Sequence, residues 1–189
     1  ISACLVGSEM CIRDSLIDLI LRLFLKPREE VINCPPTFGM YPFSTDVCGG
    51  RVVDVPRGED FALDMACIRK ALTKRTKVIF VASPNNPTGN TATEKEIREL
   101  VDTGKIVVVD EAYCEFSNVT MVNLVPAYPN LIVLRTFSKW AGLAGLRIGY
   151  GIFPVEIAGY LMKIKQPYNA NAAAQAAVLA SLADIDYLH

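Results

Sequence analysis

The sequence predicts an α/β domain, a mostly parallel, mixed sheet sandwiched by helices. Three observations predict it. Short apolar runs with β-branched members alternate with stretches of helical periodicity, the pattern of strands joined by crossover helices. Two of those runs, residues 78–82 and 106–109, carry no polar residue, as strands covered on both faces do. The 189 residues are 51% hydrophobic and 21% charged, a globular composition in a chain long enough for one sizeable core.

Residues 16–25 read as the first helix. Leu16, Leu19, Ile20 and Leu23 share one face, Ile17 and Phe24 widen it, and Pro27 ends it. Asp18 and Arg22 form an i,i+4 pair in the favourable order. A short strand over 31–34 stops at Pro35 and Pro36, and Gly49 and Gly50 turn the chain into a second strand, 51–55. Asp64 opens a helix to residue 72 whose apolar face is Cys67, Ile68, Ala71 and Leu72. The third strand, 77–82, runs into Ser-Pro-Asn-Asn-Pro-Thr-Gly (83–89), a loop that two prolines and a glycine make rigid. Thr93 and Glu96 form a capping box for a helix to residue 101. Residues 105–109, 131–134 and 146–152 read as further strands, and 155–164 and 172–182 as helices. The whole of 1–189 reads as one domain without an internal repeat or linker.

The polar residues at strand ends carry the chemistry. Lys139 follows a buried strand, where partial desolvation of an amine disfavours the ammonium and makes the nitrogen nucleophilic. Eight residues on, Arg147 is a permanent cation able to grip a phosphate with two N–H groups. The small residues Ala141, Gly142, Ala144 and Gly145 lie between them and let the backbone run close to something bulky. Asp110 ends a strand that should be fully buried, so either a salt bridge or a ligand cation must face it. Asn86 stands before Pro87, which confines its backbone to extended conformations and aims its amide. Phe38 follows a strand end, where it either lies against a planar ligand or joins the core.

Composition excludes several classes. A net charge of −1 offers no basic surplus for nucleic acid or an acidic membrane surface. No apolar run reaches membrane-spanning length and no signal peptide is visible. The six cysteines form no Cys-x-x-Cys pair and the single histidine is His189, so a zinc site is not expected and the cysteines should be reduced and mostly buried. The expected location is cytoplasmic. The chain opens on Ile1 and closes at His189 just after a helical pattern, so truncation at both ends is expected. Residues 10–14, Met-Cys-Ile-Arg-Asp, match one reading frame of a widely used sequencing-library transposon end. Part of 8–15 is therefore expected to be a library scar, to be set apart from fold reasoning.

Six stretches in order resemble the fold-type I pyridoxal-phosphate aminotransferases, and among them the histidinol-phosphate aminotransferases most closely. They are Cys-Pro-Pro-Thr-Phe-Gly-Met-Tyr (34–41), Ser-Pro-Asn-Asn-Pro-Thr-Gly (83–89), Val-Val-Asp-Glu-Ala-Tyr-Cys-Glu-Phe (108–116), Arg-Thr-Phe-Ser-Lys (135–139), Gly-Leu-Ala-Gly-Leu-Arg-Ile-Gly-Tyr (142–150) and Gln-Pro-Tyr-Asn-Ala-Asn (166–171). The resemblance implies the large cofactor-binding domain, with Lys139 carrying the internal aldimine and moving the substrate proton. It implies Asp110 against the pyridine nitrogen, and Asn86 and Tyr113 on the phenolic oxygen. Ser138 and Arg147, with backbone amides near Ser8 and Glu9, would hold the phosphate. Phe38 would stack on the ring, and Tyr168 and Asn169 would lie toward the substrate. The implied reaction is amino transfer between L-histidinol phosphate and 2-oxoglutarate in a homodimer.

The chain departs from that pattern in two places. The N-terminal arm and most of the C-terminal small domain of such enzymes are expected to be missing from this chain. Relatives also run Gly-Ala-Asp-Glu or Gly-Ser-Asp-Glu directly into the helix, whereas here Gly7-Ser8-Glu9 is followed by six residues before Leu16. Other readings are an aromatic amino-acid aminotransferase, a threonine-phosphate decarboxylase, or a non-catalytic cofactor-binding fragment or regulator domain. A dinucleotide-binding protein lacks its Gly-x-Gly-x-x-Gly here.

Overall fold

The computed structural model describes residues 3–8, 14–167 and 169–188, the side chains of 3–8, 187 and 188 excepted. In chain order the described elements are β1 (Ala3–Ser8), α1 (Asp14–Phe24), β2 (Glu30–Asn33), α2 (Met40–Val47), β3 (Arg51–Asp54), α3 (Met65–Ala71), β4 (Thr76–Ala82), α4 (Glu94–Val101), β5 (Ile106–Asp110), α5 (Cys114–Ser117), β6 (Leu131–Thr136), β7 (Gly149–Pro154), α6 (Val155–Ile164), α7 (Ala172–Ala183) and α8 (Ile185–Leu188). Two 3-10 turns, Val122–Ala127 and Ala144–Leu146, join them.

The strands form one sheet in the order β1-β7-β6-β5-β4-β2-β3. The five strands from β3 to β6 are parallel, and β7 runs antiparallel to both β6 and β1. Strand side chains alternate between faces, so each buried strand feeds two cores. On one face Ile32, Ile79, Val107 and Val133 pack with Ile68 of α3 and with Ile97 and Leu100 of α4. On the other, Val31, Phe80, Val108 and Leu134 pack with Leu16, Ile17, Ile20 and Leu21 of α1, Tyr41 of α2 and Leu161 of α6. Burying one such side chain contributes about 1.5–3 kcal/mol, whereas an exposed i,i+4 ion pair contributes about 0.3–0.5 kcal/mol. The four buried side chains of α1 therefore hold that helix, and its Asp18–Arg22 pair at 2.8 Å is a minor addition.

The expected mixed α/β sheet is observed, with the short helices α5 and α8 added and with local differences at α1, α2, β7 and β1. The first helix begins at Asp14, two residues before the apolar stripe, and places an acidic side chain in the positive first turn. Helix α2 was not anticipated; Pro42 falls in its first turn, where the missing N–H costs nothing. The last strand begins at Gly149, not at residue 146, because Leu146 closes a 3-10 turn and Arg147 adopts φ 55°. β1 adds an antiparallel edge strand beside β7, where the sequence has no alternating pattern of its own. Among the described residues no helix is long and apolar enough to cross a membrane, and no cluster suits a metal ion.

Candidate active site

The parallel strands end side by side, and four of the five lead to candidate site residues. β2 leads to Phe38 and Tyr41, β4 to Asn85 and Asn86, β5 to Asp110 and Tyr113, and β6 to Ser138 and Lys139. The chain passes from β3 back across β2 to β4, so these ends flank the point where strand order reverses, the usual ligand crevice of an open α/β sheet.

A cavity of about 180 Å³ is bordered by Asp14, Phe38, Thr136, Ser138, Lys139, Ala144 and Arg147. The start of α1 contributes the positive end of its dipole there. Ser138 Oγ is buried and has no hydrogen-bond partner among the described residues. Its backbone N–H is occupied, donating to Thr136 Oγ1 at 3.1 Å. Arg147 is held by its left-handed backbone and by donation from Nη1 to Ala144 O at 2.9 Å. An orphan hydroxyl, a guanidinium and a helix start around one small cavity suit an anion with several acceptor oxygens, such as a phosphate.

A second, more open cavity of about 350 Å³ is bordered by Asn86, Tyr113, Phe116 and Ser117, with Pro84, Asn85, Pro87 and Gly89. The two adjacent asparagines divide the work. Asn85 is buried and tied to Pro36 O, Thr88 Oγ1 and Thr37 Oγ1 at 2.7–2.9 Å, which locks the loop. Asn86 is left half-buried at the cavity wall. Lys139 Nζ, on the wall of the smaller cavity, stands 5.4 Å from the centroid of the Tyr113 ring, on the wall of the larger.

Asp110 is 1% exposed. Its Oδ2 accepts from the Tyr41 hydroxyl at 2.6 Å and its Oδ1 from the Ala112 N–H at 3.2 Å. Tyr41 is stacked on Phe80, centroids 4.6 Å apart at 4°, and meets Phe38 edge-on at 5.6 Å.

A description of the family "Aminotransferase class I and II" matches residues 13–188. The chain belongs to that family. A histidinol-phosphate aminotransferase of Dehalococcoides mccartyi is 56% identical over 175 residues, covering 93% of this chain and 49% of that protein. The chloroplastic histidinol-phosphate aminotransferase 1 of Arabidopsis thaliana is 49% identical over 180 residues, covering 94% and 43%. Among solved structures, the histidinol-phosphate aminotransferase of Sinorhizobium meliloti in complex with pyridoxal-5'-phosphate has a TM-score of 0.88 at 29% identity, covering 97% of this chain and 51% of that one. The chain spans about half the length of the curated relatives it matches. Its fold is that of the fold-type I aminotransferases.

Within this aminotransferase chain, Phe38, Ser138, Lys139 and Arg147 meet at one cavity and Asn86 and Tyr113 at the next. The Ser8 side chain, Glu9 and Tyr168 lie outside the described residues. Asn169 accepts from Lys165 Nζ at 3.2 Å. The desolvation expected at Lys139 is not provided by the described residues: Lys139 is exposed, because it sits on the turn beyond β6 instead of inside the strand. Phe38 is half-buried, with an edge on Tyr41 and a place on the cavity wall. Of the cysteines expected to be reduced and mostly buried, Cys34 and Cys114 are buried, Cys48 is half-buried and Cys67 exposed; all four are free. Sequence reasoning missed Tyr41 as a partner of Asp110. The three-residue spacing from Phe38 to Tyr41 at the entrance of α2 was the available signal.

Proposed function

We propose that this chain forms the cofactor-binding body of a pyridoxal-phosphate-dependent transaminase acting on L-histidinol phosphate and 2-oxoglutarate. The observation that carries the proposal is the grouping of orphan Ser138 Oγ, Lys139 and Arg147 around one phosphate-sized cavity, in a chain 56% identical to a histidinol-phosphate aminotransferase. The residues fit the cofactor. Ser138 Oγ and Arg147 would hold its phosphate, Phe38 would border its ring, and Asn86 and Tyr113 would donate to its phenolic oxygen.

Bound pyridoxal phosphate supplies an electron sink for negative charge developing at the substrate carbon. Asp110 would support that sink as the carboxylate that pairs with the ring nitrogen, and the Tyr41 hydroxyl at 2.6 Å orients it. Lys139 Nζ would hold the cofactor and serve as the base that moves the substrate-carbon proton. The Tyr113 ring under Nζ steers that amine toward the crevice.

The protein is proposed to work as a cytoplasmic homodimer. Support for association comes from large apolar side chains left on the described surface, Phe116 at 68% and Phe43 at 59% exposed. The test is reductive trapping: with pyridoxal phosphate and borohydride, the cofactor should attach to Lys139. Attachment to another lysine, or none, refutes the proposal. Asp110→Asn should retain cofactor while transamination by the completed enzyme collapses.

A further inference from the structure

The residue after Asp110 is a second buried carboxylate, and the reaction proposed above does not use it. Glu111 is 1% exposed. Its Oε2 accepts from Arg135 Nε at 3.0 Å, from Arg135 Nη2 at 2.9 Å and from Thr120 Oγ1 at 2.8 Å. Its Oε1 accepts from the Met121 N–H at 2.5 Å. Arg135 Nη2 also donates to Thr120 Oγ1 at 2.8 Å, and Arg135 shares a side-chain hydrogen bond with Tyr150, its partner across the β6–β7 pair. Cys114 and Glu115 are the other titratable groups that face this cluster.

A buried ion pair is weak evidence for stability, since well-packed apolar residues often serve as well. Its topology is more telling. Glu111 opens the segment that leaves β5, and Thr120 and Met121 close it, so one carboxylate ties both ends of the excursion together. Tyr113 lies inside that excursion. Arg135 belongs to β6, which delivers Lys139 four residues later. The pair thus fastens the loop carrying Tyr113 to the strand carrying Lys139, whose Nζ lies 5.4 Å from the Tyr113 ring centroid.

We propose that Glu111 and Arg135 are positioning residues that set where Tyr113 stands relative to Lys139, and so tune the bound cofactor through the Tyr113 hydroxyl. The inference rests on the reading that Lys139 holds a cofactor whose phenolic oxygen takes a hydrogen bond from Tyr113.

Four forms of the 189-residue chain test it: wild type, Glu111→Gln, Tyr113→Phe and the double variant. Pyridoxal phosphate is added and absorbance is followed against pH. A hydroxyl donating to the phenolate favours the deprotonated chromophore, so Tyr113→Phe should raise the midpoint of the colour change by about one pH unit. Glu111→Gln should raise it in the same direction, and the double variant no further than Tyr113→Phe alone. A midpoint unmoved by Glu111→Gln, or shifts that add, overturns the proposal. A second arm needs no cofactor. The nuclear Overhauser contact between the Tyr113 ring and the Lys139 side chain should weaken in Glu111→Gln and in the milder Thr120→Val, which leaves the ion pair in place. Equal intensity in both variants and wild type overturns the proposal. If wild type takes up no cofactor, the reading under Proposed function falls, and the Overhauser arm still decides the clamp.

Discussion

Tyr41→Phe removes one oxygen atom from the interior and asks how far the Asp110 carboxylate depends on it. Tyr41 is 0% and Asp110 1% exposed, and the hydroxyl donates across 2.6 Å. The phenylalanine ring keeps the stack on Phe80 at 4.6 Å, so apolar burial is conserved and the lost hydrogen bond carries the effect. A hydrogen bond to a charged group contributes about 1.5–3 kcal/mol. The Ala112 N–H donates to the other carboxylate oxygen at 3.2 Å in both forms and does not replace the lost donor on Oδ2. The expected loss of about 2–3 kcal/mol is a large part of a domain's usual 5–15 kcal/mol. Urea unfolding followed by far-ultraviolet circular dichroism measures it, and the slope with denaturant should stay unchanged. Tyr41→Ala, which also empties the ring's space, should cost more, about 3–5 kcal/mol from lost ring burial and the cavity together. A Tyr41→Phe protein within about 0.5 kcal/mol of wild type would refute the dependence of Asp110 on Tyr41.

Three further outcomes are expected. A Cβ on Gly151 would stand 2.4 Å from Phe153 Cε2 and 3.1 Å from Leu134 Cδ2, so Gly151→Ala should cost about 1–3 kcal/mol in the same unfolding assay. The Thr73 hydroxyl, and then the Arg75 guanidinium, hold the Glu30 carboxyl below its ordinary value of 4.5. Because the folded state lowers this group's pKa, its contribution is full above the unfolded value and is lost as pH falls through the folded one; unfolding of Glu30→Gln should therefore depend less on pH in that acidic window than wild type does. Replacing residues 8–15 by Ser-Asp-Glu should tighten pyridoxal phosphate by about 1.5–3 kcal/mol for each backbone hydrogen bond gained by its phosphate. Titration of both forms checks this, as does sequencing of unamplified source DNA, which should lack codons for residues 10–14; codons present together with equal affinities would make the segment a natural insertion.

The sequence by itself determined the layer architecture. Runs such as 78–82 and 106–109 have no polar residue, so they have no stable place except between two layers, and the capping box at Thr93 and Glu96 marks where α4 begins. It also placed Asn86, Asp110 and Lys139 at the ends of parallel strands, which share one edge of the sheet; Arg147 reaches that edge because β7, which it precedes, runs antiparallel. What only the tertiary structure decided was which side chains face one another across that edge. Tyr41 reaches Asp110 from 69 residues away, and Glu111 meets Arg135 from 24 residues away. Asn85 became the structural amide and Asn86 the one at the cavity, although the two are chemically identical neighbours. The antiparallel direction of β7 likewise had no local signature, since the left-handed turn at Arg147 depends on what packs beyond it. Periodicity and turn chemistry are properties of neighbours along the chain and can be read there. Hydrogen-bond partners and burial depend on residues brought together by the sheet order, which no local pattern encodes.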